Sequence, residues 1–423
     1  MGETARARPM RILLWHGYLL SGTGSNIYTQ AIAREWSRGG HEVVVVCQEP
    51  EPERFDLGGA SVARPELPGR LLPVFVLDRY QGLEARLLAD LSPGERARYV
   101  EANAAAVRRL LPADLVFCNH VLPGGAVGRA SGARYAVKVH GSEIEYAIRG
   151  RVDLVEEAAR ALAGAEAVFV GSEHARQVLD QVVGSVPRVY EVPPGVDVEE
   201  FRPKDREQAL RDLLDECRRD PPNPGSANER LPDEGNAERL RRFFEADRPT
   251  VLYVGKLLYN KGVHLLLEAL RGLEARALIV GFGDYRRRLE QLAPATALFT
   301  GPLEHRHLVN LLSLADVAVV PSIFPEAFGM VAAEAAAAGC PPLVARHSGL
   351  AEIAQALEAA YPPQARHLAS FASGDSIELQ DKLRELLSLS PDRRRQLGEI
   401  ARRVACERWS WATVARRLLD PFE

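Results

Sequence analysis

The hydrophobic and polar residues of this chain alternate between short β-branched runs and longer segments with helical spacing. The first apolar run, Arg11 to Trp15, precedes the loop SGTGSN and the helical stretch IYTQAIAREWSRGG, which ends at Gly39-Gly40. The continuous run in HEVVVVCQ comes next and is typical of a parallel strand buried on both faces. This order predicts a βαβ unit at the start of the chain.

The same pattern recurs later in the chain. In the first half, DLVFCNH, YAVKVHG and AVFVGSEHA each read as a strand that ends in a polar loop. The second half restarts with TVLYVGKLLYNKGVHLLLEAL and ALIVGFGDYRRRLEQL, each a strand, a glycine turn and a helix. We therefore predict an α/β protein of two Rossmann-like domains that face each other across a cleft, with ligands at the carboxyl ends of the strands.

The composition changes between the two halves. Residues from about Pro203 to Pro249 are rich in charge and contain PPNPGS and DEGN, which favours a solvated helix and a flexible connector. We predict an N-terminal domain over 1–200, a charged linker or insertion over 201–248 and a C-terminal domain over 249–405. A C-terminal helix over 406–423 is expected to return to the first domain.

Composition and charge narrow the function classes. The 423 residues are 46% hydrophobic and 26% charged, with a net charge of −4; these values suit an ordinary globular protein and disfavour nucleic acid as a partner. The five cysteines are scattered without metal-ligand spacing, so we expect no metal site and a reducing compartment. The apolar run near the N-terminus is too short for a signal peptide, and we expect a cytoplasmic protein.

The segment PEAFGMVAAEAAAAGCPP contains the first candidate site. Glu326 and Glu334 stand eight residues apart, and we predict a helix that begins near Gly329 or Met330. The free N–H groups of Gly329, Met330 and Val331 would suit a phosphate, while each carboxylate can accept hydrogen bonds from two neighbouring hydroxyls. The alternative is surface charge on an alanine-rich helix; the tight apolar flanks favour a site.

The segment GKLLYNKG contains the second candidate. Lys256 and Lys261 follow the end of a predicted strand, next to Gly255 and Gly262. Two cations beside exposed backbone would bind a diphosphate, although two solvated loop lysines are the alternative. The order of residues is not that of a Walker A loop.

Two glycine turns and one histidine complete the candidate residues. The loop with Gly22, Thr23 and Gly24, and the turn at Gly281, would let a ligand approach the backbone, but both also suit plain strand-to-helix turns. Neither has the third glycine of a dinucleotide site. His140 ends an apolar strand and precedes a glycine, which favours a site over a core histidine.

Taken together, these segments resemble the retaining GT-B glycosyltransferases called glycosyl transferases group 1, or glycosyltransferase family 4. The resemblance covers nearly the whole chain and runs in the family's order through SGTGSNIYTQAIAREWSRGGHEV, VHGSE, VFVGSEHAR, PPGVDVEEFRP, VGKLLYNKG, IVGFGDYRRRLE and PEAFGMVAAEAAAAGCPPLVARHSGLAEI. The last segment is the most specific, since it resembles the family's pair of glutamates separated by seven residues.

The resemblance implies roles for the candidate residues. Lys256 and Lys261 would bind the donor diphosphate, although the family usually has arginine at the first position and lysine lacks its two-pronged geometry. Gly24, two residues after Gly22, would approach the diphosphate from the first domain, and His140 would line the reaction centre. The segment HSGLAE departs from a family pattern with two adjacent glycines, which affects only the detail of that loop.

The glutamate segment receives the remaining roles. Glu326 would contact the transferred sugar, with the amides of Phe328, Gly329 and Met330 placing sugar and phosphate. Glu334 would hold the ribose hydroxyls.

The implied reaction is transfer of a hexosyl group from a nucleoside diphosphate sugar, with UDP-sugars favoured, to a hydroxyl acceptor with retention. The alternatives are a GDP-mannose-dependent mannosyltransferase, a sugar-nucleotide epimerase of the same fold and a non-catalytic nucleotide-sugar sensor; an NAD-dependent dehydrogenase is disfavoured. No cofactor or metal is required beyond the nucleotide sugar. The acceptor would be a small molecule, a glycan or a lipid-linked hydroxyl bound by loops between about Gly58 and Arg98, with possible contact to the inner membrane surface.

Overall fold

The computed structural model describes residues 8–22, 24–77, 80 and 82–423. They divide into two compact units. The first contains the described residues up to Gly195 together with Trp411–Glu423, and the second is Val196–Ser410. Each unit has its own hydrophobic core.

The first unit is built on a parallel sheet of seven strands in the order β3-β2-β1-β6-β7-β8-β9. Its central strands consist of the apolar runs in the sequence, and these runs are buried because helices cover both faces of a parallel sheet. The strands of the unit, including the separate parallel pair β4 and β5, are β1 Arg11–Trp15, β2 Glu42–Val46, β3 Ser61–Ala63, β4 Leu71–Val74, β5 Glu84–Leu87, β6 Leu115–Asn119, β7 Tyr135–Lys138, β8 Ala167–Val170 and β9 Val189–Glu191. The helices are α1 Gly24–Arg38, α2 Pro93–Leu110, α3 Ala126–Ser131, α4 Val152–Ala163 and α5 Glu173–Val183.

The second unit is built on a parallel sheet of six strands in the order β12-β11-β10-β13-β14-β15. The strands are β10 Thr250–Val254, β11 Arg276–Val280, β12 Ala297–Phe299, β13 Val317–Val320, β14 Pro342–Ala345 and β15 Ser370–Phe371. The helices are α6 Arg206–Arg218, α7 Asn236–Glu245, α8 Val263–Ala269, α9 Arg286–Leu292, α10 His305–Leu311, α11 Met330–Ala337, α12 Ser348–Ala360, α13 Ser376–Ser388 and α14 Pro391–Arg408.

The strand order places the candidate ligand sites. In each sheet the first three strands are added towards one edge, and the chain then returns to the other side of the first of them, β1 or β10. The strand order therefore reverses between β1 and β6 and between β10 and β13. At such a reversal the loops that follow the two neighbouring strands diverge and leave a crevice at their carboxyl ends. Ligand sites are therefore expected at the residues that follow β1 and β6, and at those that follow β10 and β13.

The stretch 201–248 differs from the expected linker. It belongs to the second unit, and its helices α6 and α7 bury Leu213, Cys217 and Leu240 in that unit's core. The charged residues that dominated its composition lie on the outer faces of these helices, where they form ion pairs such as that of Arg241 with Glu238. The composition of 201–248 resembles that of a connector because α6 and α7 are amphipathic helices with few apolar positions.

The last segment joins the first unit. After α14 the chain forms α15, Trp411–Arg417, five residues later than the expected start at 406. There Trp36 Nε1 donates a 2.8 Å hydrogen bond to the carbonyl oxygen of Ala415, and the rings of Trp411 and Tyr28 meet edge to face. Within the described ranges, no helix combines the length and the apolar character needed to cross a membrane.

Candidate active site

The two lysines of the second unit lie in the loop that follows β10. Lys256 is exposed, whereas Lys261 is half-buried at the end of a single 3-10 turn, Tyr259–Lys261. Lys261 Nζ lies 2.6 Å from Glu326 Oε1, in the loop that follows β13. The structure thus brings together two of the predicted site residues, which are 65 positions apart in the sequence, at the point where the strand order reverses.

Backbone contacts bring the Lys261 loop close to the Glu326 loop. The Asn260 carbonyl oxygen accepts hydrogen bonds from the amides of Ile323 and Phe324 at 2.9 and 3.1 Å. Gly262 has a φ of 70°, and a Cβ on it would lie 1.8 Å from the carbonyl oxygen of Pro321. Only glycine permits this approach, so Gly262 is required for the position of Lys261.

Glu326 is held through its backbone, which leaves its carboxylate available. Its amide donates to Ser348 Oγ at 2.8 Å, and its carbonyl oxygen accepts from the amide of Gly349 at 2.9 Å. The side chain is 23% exposed and has Lys261 as its partner. A carboxylate positioned in this way can accept hydrogen bonds from ligand hydroxyls as well as from the lysine.

Helix α11 begins where the sequence predicts. Its first residue is Met330, and Gly329 precedes it with a φ of 113° and without a side-chain cap. The first amides of a helix, here those of Met330 and Val331, have no intrahelical acceptor and carry a partial positive charge. The Phe328 side chain is buried against Trp409, so that only its backbone is available to a ligand.

Glu334 lies one turn into α11 and is half-buried. Burial raises its pKa from 4.5 to about 7. No hydrogen-bond donor for its carboxylate occurs in the part of the chain that the structure describes. A buried carboxyl without a donor is costly to ionise, and a vicinal diol would supply the two missing hydrogen bonds.

We expect Glu334→Gln to stabilise the second unit at alkaline pH. Because the folded pKa lies above the unfolded value, the native state holds the proton longer, and wild-type stability falls as pH rises from about 4.5 to about 7. Glutamine does not titrate. The difference in the free energy of unfolding between variant and wild type should therefore shift in favour of the variant by about 1–3 kcal/mol between pH 4.5 and pH 8. Melting temperatures at both pH values check this, with the exposed Glu399→Gln as control. An equal difference at both pH values would contradict the assignment.

Gly281 has a structural reason for its identity. Its φ is 144°, and a Cβ would lie 1.8 Å from the carbonyl oxygen of Gly255, because the loops after β10 and β11 run side by side. The amide of Gly255 donates to Val280 and that of Gly281 to Gly301, which extends the contact to the loop after β12. This row of backbone forms the sheet edge next to the Lys261 loop.

The first unit places His140 directly beyond β7. Its Nε2 lies 2.7 Å from Asn119 Oδ1, and Asn119 Nδ2 faces Thr29 Oγ1 at 3.2 Å, so the ring donates from Nε2 and keeps the lone pair of Nδ1 as an acceptor. Burial lowers the pKa of His140 well below its usual value, and His120 and Lys138 lower it further. His140 is therefore a neutral hydrogen-bond acceptor.

Two further histidines, neither of which was predicted from the sequence, accompany His140. His16 follows β1 and His120 follows β6; the His120 ring lies 4.6 Å from that of His140 and 6.3 Å from that of His16. Burial lowers the pKa of His16 to about 3, and its Nε2 pairs with Asn26 Oδ1 at 2.8 Å. The signal was present in the sequence, because in LLWHG, FCNH and VKVHG a histidine stands at or just past the end of each strand.

Glu143 connects the loops that carry these histidines. Its Oε1 accepts hydrogen bonds from the amides of His140 at 3.0 Å and Val121 at 3.3 Å, and its Oε2 lies 3.5 Å from His120 Nδ1. Burial acts to raise the pKa of Glu143, but the His120 ring and these hydrogen bonds outweigh it and hold the pKa below its usual value. Glu143 is thus an ionised, fully buried carboxylate that positions His140.

Removing this carboxylate is expected to destabilise the first unit. Glu143→Ala leaves the buried amides of His140 and Val121 without acceptors, which should lower the free energy of unfolding by about 2–5 kcal/mol. Glu145→Ala, two residues further on, removes an exposed ion pair with Arg149 and should cost less than about 0.5 kcal/mol. Thermal unfolding of both variants checks the difference, and equal losses would contradict the role of Glu143.

The glycine loop after β1 is only partly described. Gly22 has a φ of 104°, Gly24 begins α1, and Thr23 lies outside the described residues. The helix therefore begins earlier than the expected start after Asn26. Asn26 lies in its first turn, with its Nδ2 bonded to the carbonyl oxygen of Ser21 and its Oδ1 to His16.

The second unit contains a group of three side chains whose types can ligate a metal. In the part of the chain that the structure describes, this group is Cys217, Asp220 and His307. His307 Nδ1 accepts a hydrogen bond from the Glu304 amide at 3.1 Å, so the neutral ring carries its proton on Nε2, 3.0 Å from Asp220. That nitrogen has no lone pair for a metal. Arg306 also pairs with Asp220, and burial raises the Cys217 pKa to about 12. The contacts of Arg306 and His307 with Asp220 link α10 to the end of α6.

Sequence profiles of two glycosyltransferase families match the chain. The profile of Glycosyltransferase Family 4 matches residues 22–200, and that of Glycosyl transferases group 1 matches residues 236–404. A D-inositol 3-phosphate glycosyltransferase of Xylanimonas cellulosilytica is 27% identical and covers 94% of this chain and 91% of its own. A GDP-mannose-dependent alpha-(1-6)-phosphatidylinositol monomannoside mannosyltransferase of Mycobacterium tuberculosis is 26% identical over 69% of this chain and 70% of its own.

Solved structures agree on the fold. A glycosyltransferase from Rickettsia africae superposes with a TM-score of 0.67 at 17% identity and covers 97% of both chains. Anabaena HepE in complex with UDP and glucose superposes with a TM-score of 0.64 at 17% identity, over 98% of this chain and 99% of its own. These neighbours are GT-B glycosyltransferases. The chain therefore belongs to the group 1 glycosyltransferases of family 4 and is a glycosyltransferase with the GT-B fold.

Proposed function

We propose that this glycosyltransferase moves a hexosyl group from a nucleoside diphosphate sugar to a hydroxyl acceptor with retention of the anomeric configuration. The observation that carries the proposal is the pair of Lys261 and Glu326 beside the uncapped start of α11. A cation, a carboxylate and free amides at one sheet edge match the diphosphate and the hydroxyls of such a donor.

The second unit supplies the donor-binding groups in this proposal. Lys261, Lys256 and the amides at the start of α11 bind the diphosphate and stabilise the negative charge that grows on it as the glycosidic bond breaks. Glu326 accepts hydrogen bonds from the sugar, and Glu334 accepts them from the ribose. Because these groups provide positive charge, we propose that the enzyme requires no divalent metal and no cofactor other than the donor.

His140 acts on the transferred sugar in this proposal. Its free Nδ1 lone pair accepts a hydrogen bond from a sugar hydroxyl, and its neutral state avoids repulsion with the positive charge that develops on the ring carbon. Glu143 fixes the backbone from which this ring projects.

UDP-sugars are the favoured donors, and GDP-mannose is the alternative. HepE, a structural neighbour, was solved with UDP and glucose, whereas the mycobacterial relative is named as GDP-mannose-dependent. The acceptor is proposed to be a small molecule, a glycan or a lipid-linked hydroxyl. The relatives act on an inositol phosphate and on a phosphatidylinositol mannoside by name, which fits this range.

A panel of nucleoside diphosphates and their sugars tests the proposal. A ligand that binds only the folded protein raises its melting temperature, so one of UDP, GDP or ADP should do so, while NAD should not. With the matching donor and an acceptor, the anomeric configuration of the product is read by NMR. Inversion would contradict retention, and an altered free sugar formed without acceptor would favour an epimerase. Stabilisation by NAD alone would overturn the proposed site.

A further inference from the structure

The loop 223–233, between α6 and α7, is a built part of the second unit. Asn223 Nδ2 donates hydrogen bonds to the carbonyl oxygens of Asn228 at 3.0 Å and Pro232 at 2.9 Å, while Asn223 Oδ1 accepts from the Asn228 amide at 2.9 Å. The Asn223 side chain is buried. These contacts close the loop on itself and give it a defined conformation.

Asp233 attaches this loop to the carboxyl edge of the sheet. Its amide donates to the carbonyl oxygen of Thr300, directly after β12, at 2.8 Å. Its carboxylate is 5% exposed and accepts hydrogen bonds from both terminal nitrogens of Arg286, at 2.8 and 2.6 Å. Arg286 begins α9, immediately after the turn that contains Gly281. The loop therefore lies next to the ends of β11 and β12.

Arg230, at the tip of the loop, lies over an aromatic ring at this edge. Its guanidinium carbon is 5.5 Å from the centroid of the Phe282 ring. The carbonyl oxygen of Phe282 accepts from the Leu257 amide at 2.7 Å, which joins the turn to the loop that carries Lys256. The planar guanidinium of Arg230 and the Phe282 ring lie one loop away from Lys256. Such a pair is suited to bind a planar aromatic heterocycle.

The contacts of Glu326 show that protein fills the β14 side of its loop. On the β14 side, Ser348 holds the backbone of Glu326, and His347 Nε2 bonds to the carbonyl oxygen of Ser322 at 2.6 Å. With Glu326 on the sugar, Lys261 on the diphosphate and Glu334 on the ribose, the base of the donor is taken to extend away from β14, from the end of β10 across the ends of β11 and β12. Along that path it reaches Phe282 and Arg230.

We infer that the loop 223–233 forms one wall of the nucleoside-binding site and that Arg230, supported by Phe282, contributes to nucleoside affinity. This inference rests on the proposed function, since it assumes a nucleoside diphosphate donor. It gives the 201–248 stretch a role in donor recognition, in addition to the apolar residues that α6 and α7 contribute to the core.

The test compares Arg230→Ala with wild type in binding to two kinds of ligand, measured by calorimetry. Affinity for the nucleoside diphosphate that stabilises the wild type should fall about 3- to 10-fold, while affinity for inorganic pyrophosphate stays unchanged. Arg230→Lys keeps the charge but loses the planar guanidinium, so its affinity for the nucleoside diphosphate should lie between those of wild type and Arg230→Ala. Arg288→Ala on α9 is the matched control, because it removes an exposed arginine nearby and should change neither affinity.

Each other outcome has a distinct meaning. Equal nucleoside diphosphate affinity in Arg230→Ala and wild type would overturn this inference and leave the proposed function intact. A matching loss for pyrophosphate would show that Arg230 acts on the phosphates, which also overturns it. A wild-type protein that binds pyrophosphate but no nucleoside diphosphate would overturn the proposed function itself.

Discussion

Replacing Lys261 with methionine is expected to lower the transfer rate about 10²- to 10³-fold, because a preorganised charge that stabilises a leaving group is worth that much. Lys261 is held against Glu326 at 2.6 Å by the loop contacts of Asn260 and Gly262. The cation is thus in place before the donor arrives and loses little entropy on binding. Methionine keeps an unbranched side chain that is one atom shorter, and it removes the charge and the hydrogen-bond donors.

The Lys261 substitution should also weaken ground-state binding of the nucleoside diphosphate by about tenfold or more. Calorimetry gives this affinity, and steady-state kinetics gives kcat and KM separately. Lys382→Met, in the same unit on α13, serves as the control, because it removes a half-buried lysine that pairs with Glu378. Unchanged transfer by a folded Lys261→Met enzyme would show that the diphosphate lies elsewhere.

Much of the fold could be predicted from the sequence because its strands are continuous apolar runs. The strand β1 occupies the expected Arg11–Trp15, and α11 begins at Met330, in agreement with the expected start near Gly329 or Met330. Helix α1 begins at Gly24, earlier than the sequence indicates, since glycine disfavours helix in isolation. In the structure the Asn26 side chain bonds to the Ser21 carbonyl oxygen and to His16, a contact from another segment.

The arrangement of the candidate site could be predicted only where its residues carry a local sequence pattern. Lys261 and Glu326 each follow a strand that can be recognised in the sequence, and adjacent ends of parallel strands explain why they meet. His16 and His120 each follow a strand that the sequence indicates, but their clustering with His140 depends on the order of β1, β6 and β7 in the sheet. The composition of the loop 223–233 also does not indicate its defined conformation, because that conformation depends on one buried asparagine, Asn223, and on Asp233.

Glu326→Gln is expected to reduce kcat by about 10²-fold while leaving the affinity for the free nucleoside diphosphate within about threefold of wild type. Ser348 and Gly349 hold Glu326 through its backbone, so the loop keeps its conformation when the side chain changes. The amide retains one acceptor for a sugar hydroxyl but loses the charge that favours a positive ring carbon. It also releases Lys261, which remains free to bind the diphosphate.

The two substitutions therefore separate the parts of the donor. Lys261→Met should weaken binding of the diphosphate with or without its sugar, whereas Glu326→Gln should affect the nucleotide sugar alone, and Glu268→Gln on the exposed face of α8 should affect neither. If Glu326→Gln weakens the free nucleoside diphosphate as strongly as Lys261→Met does, Glu326 acts only by positioning the lysine. In that case the sugar hydroxyls need another acceptor, and the double variant would be no worse than either single one.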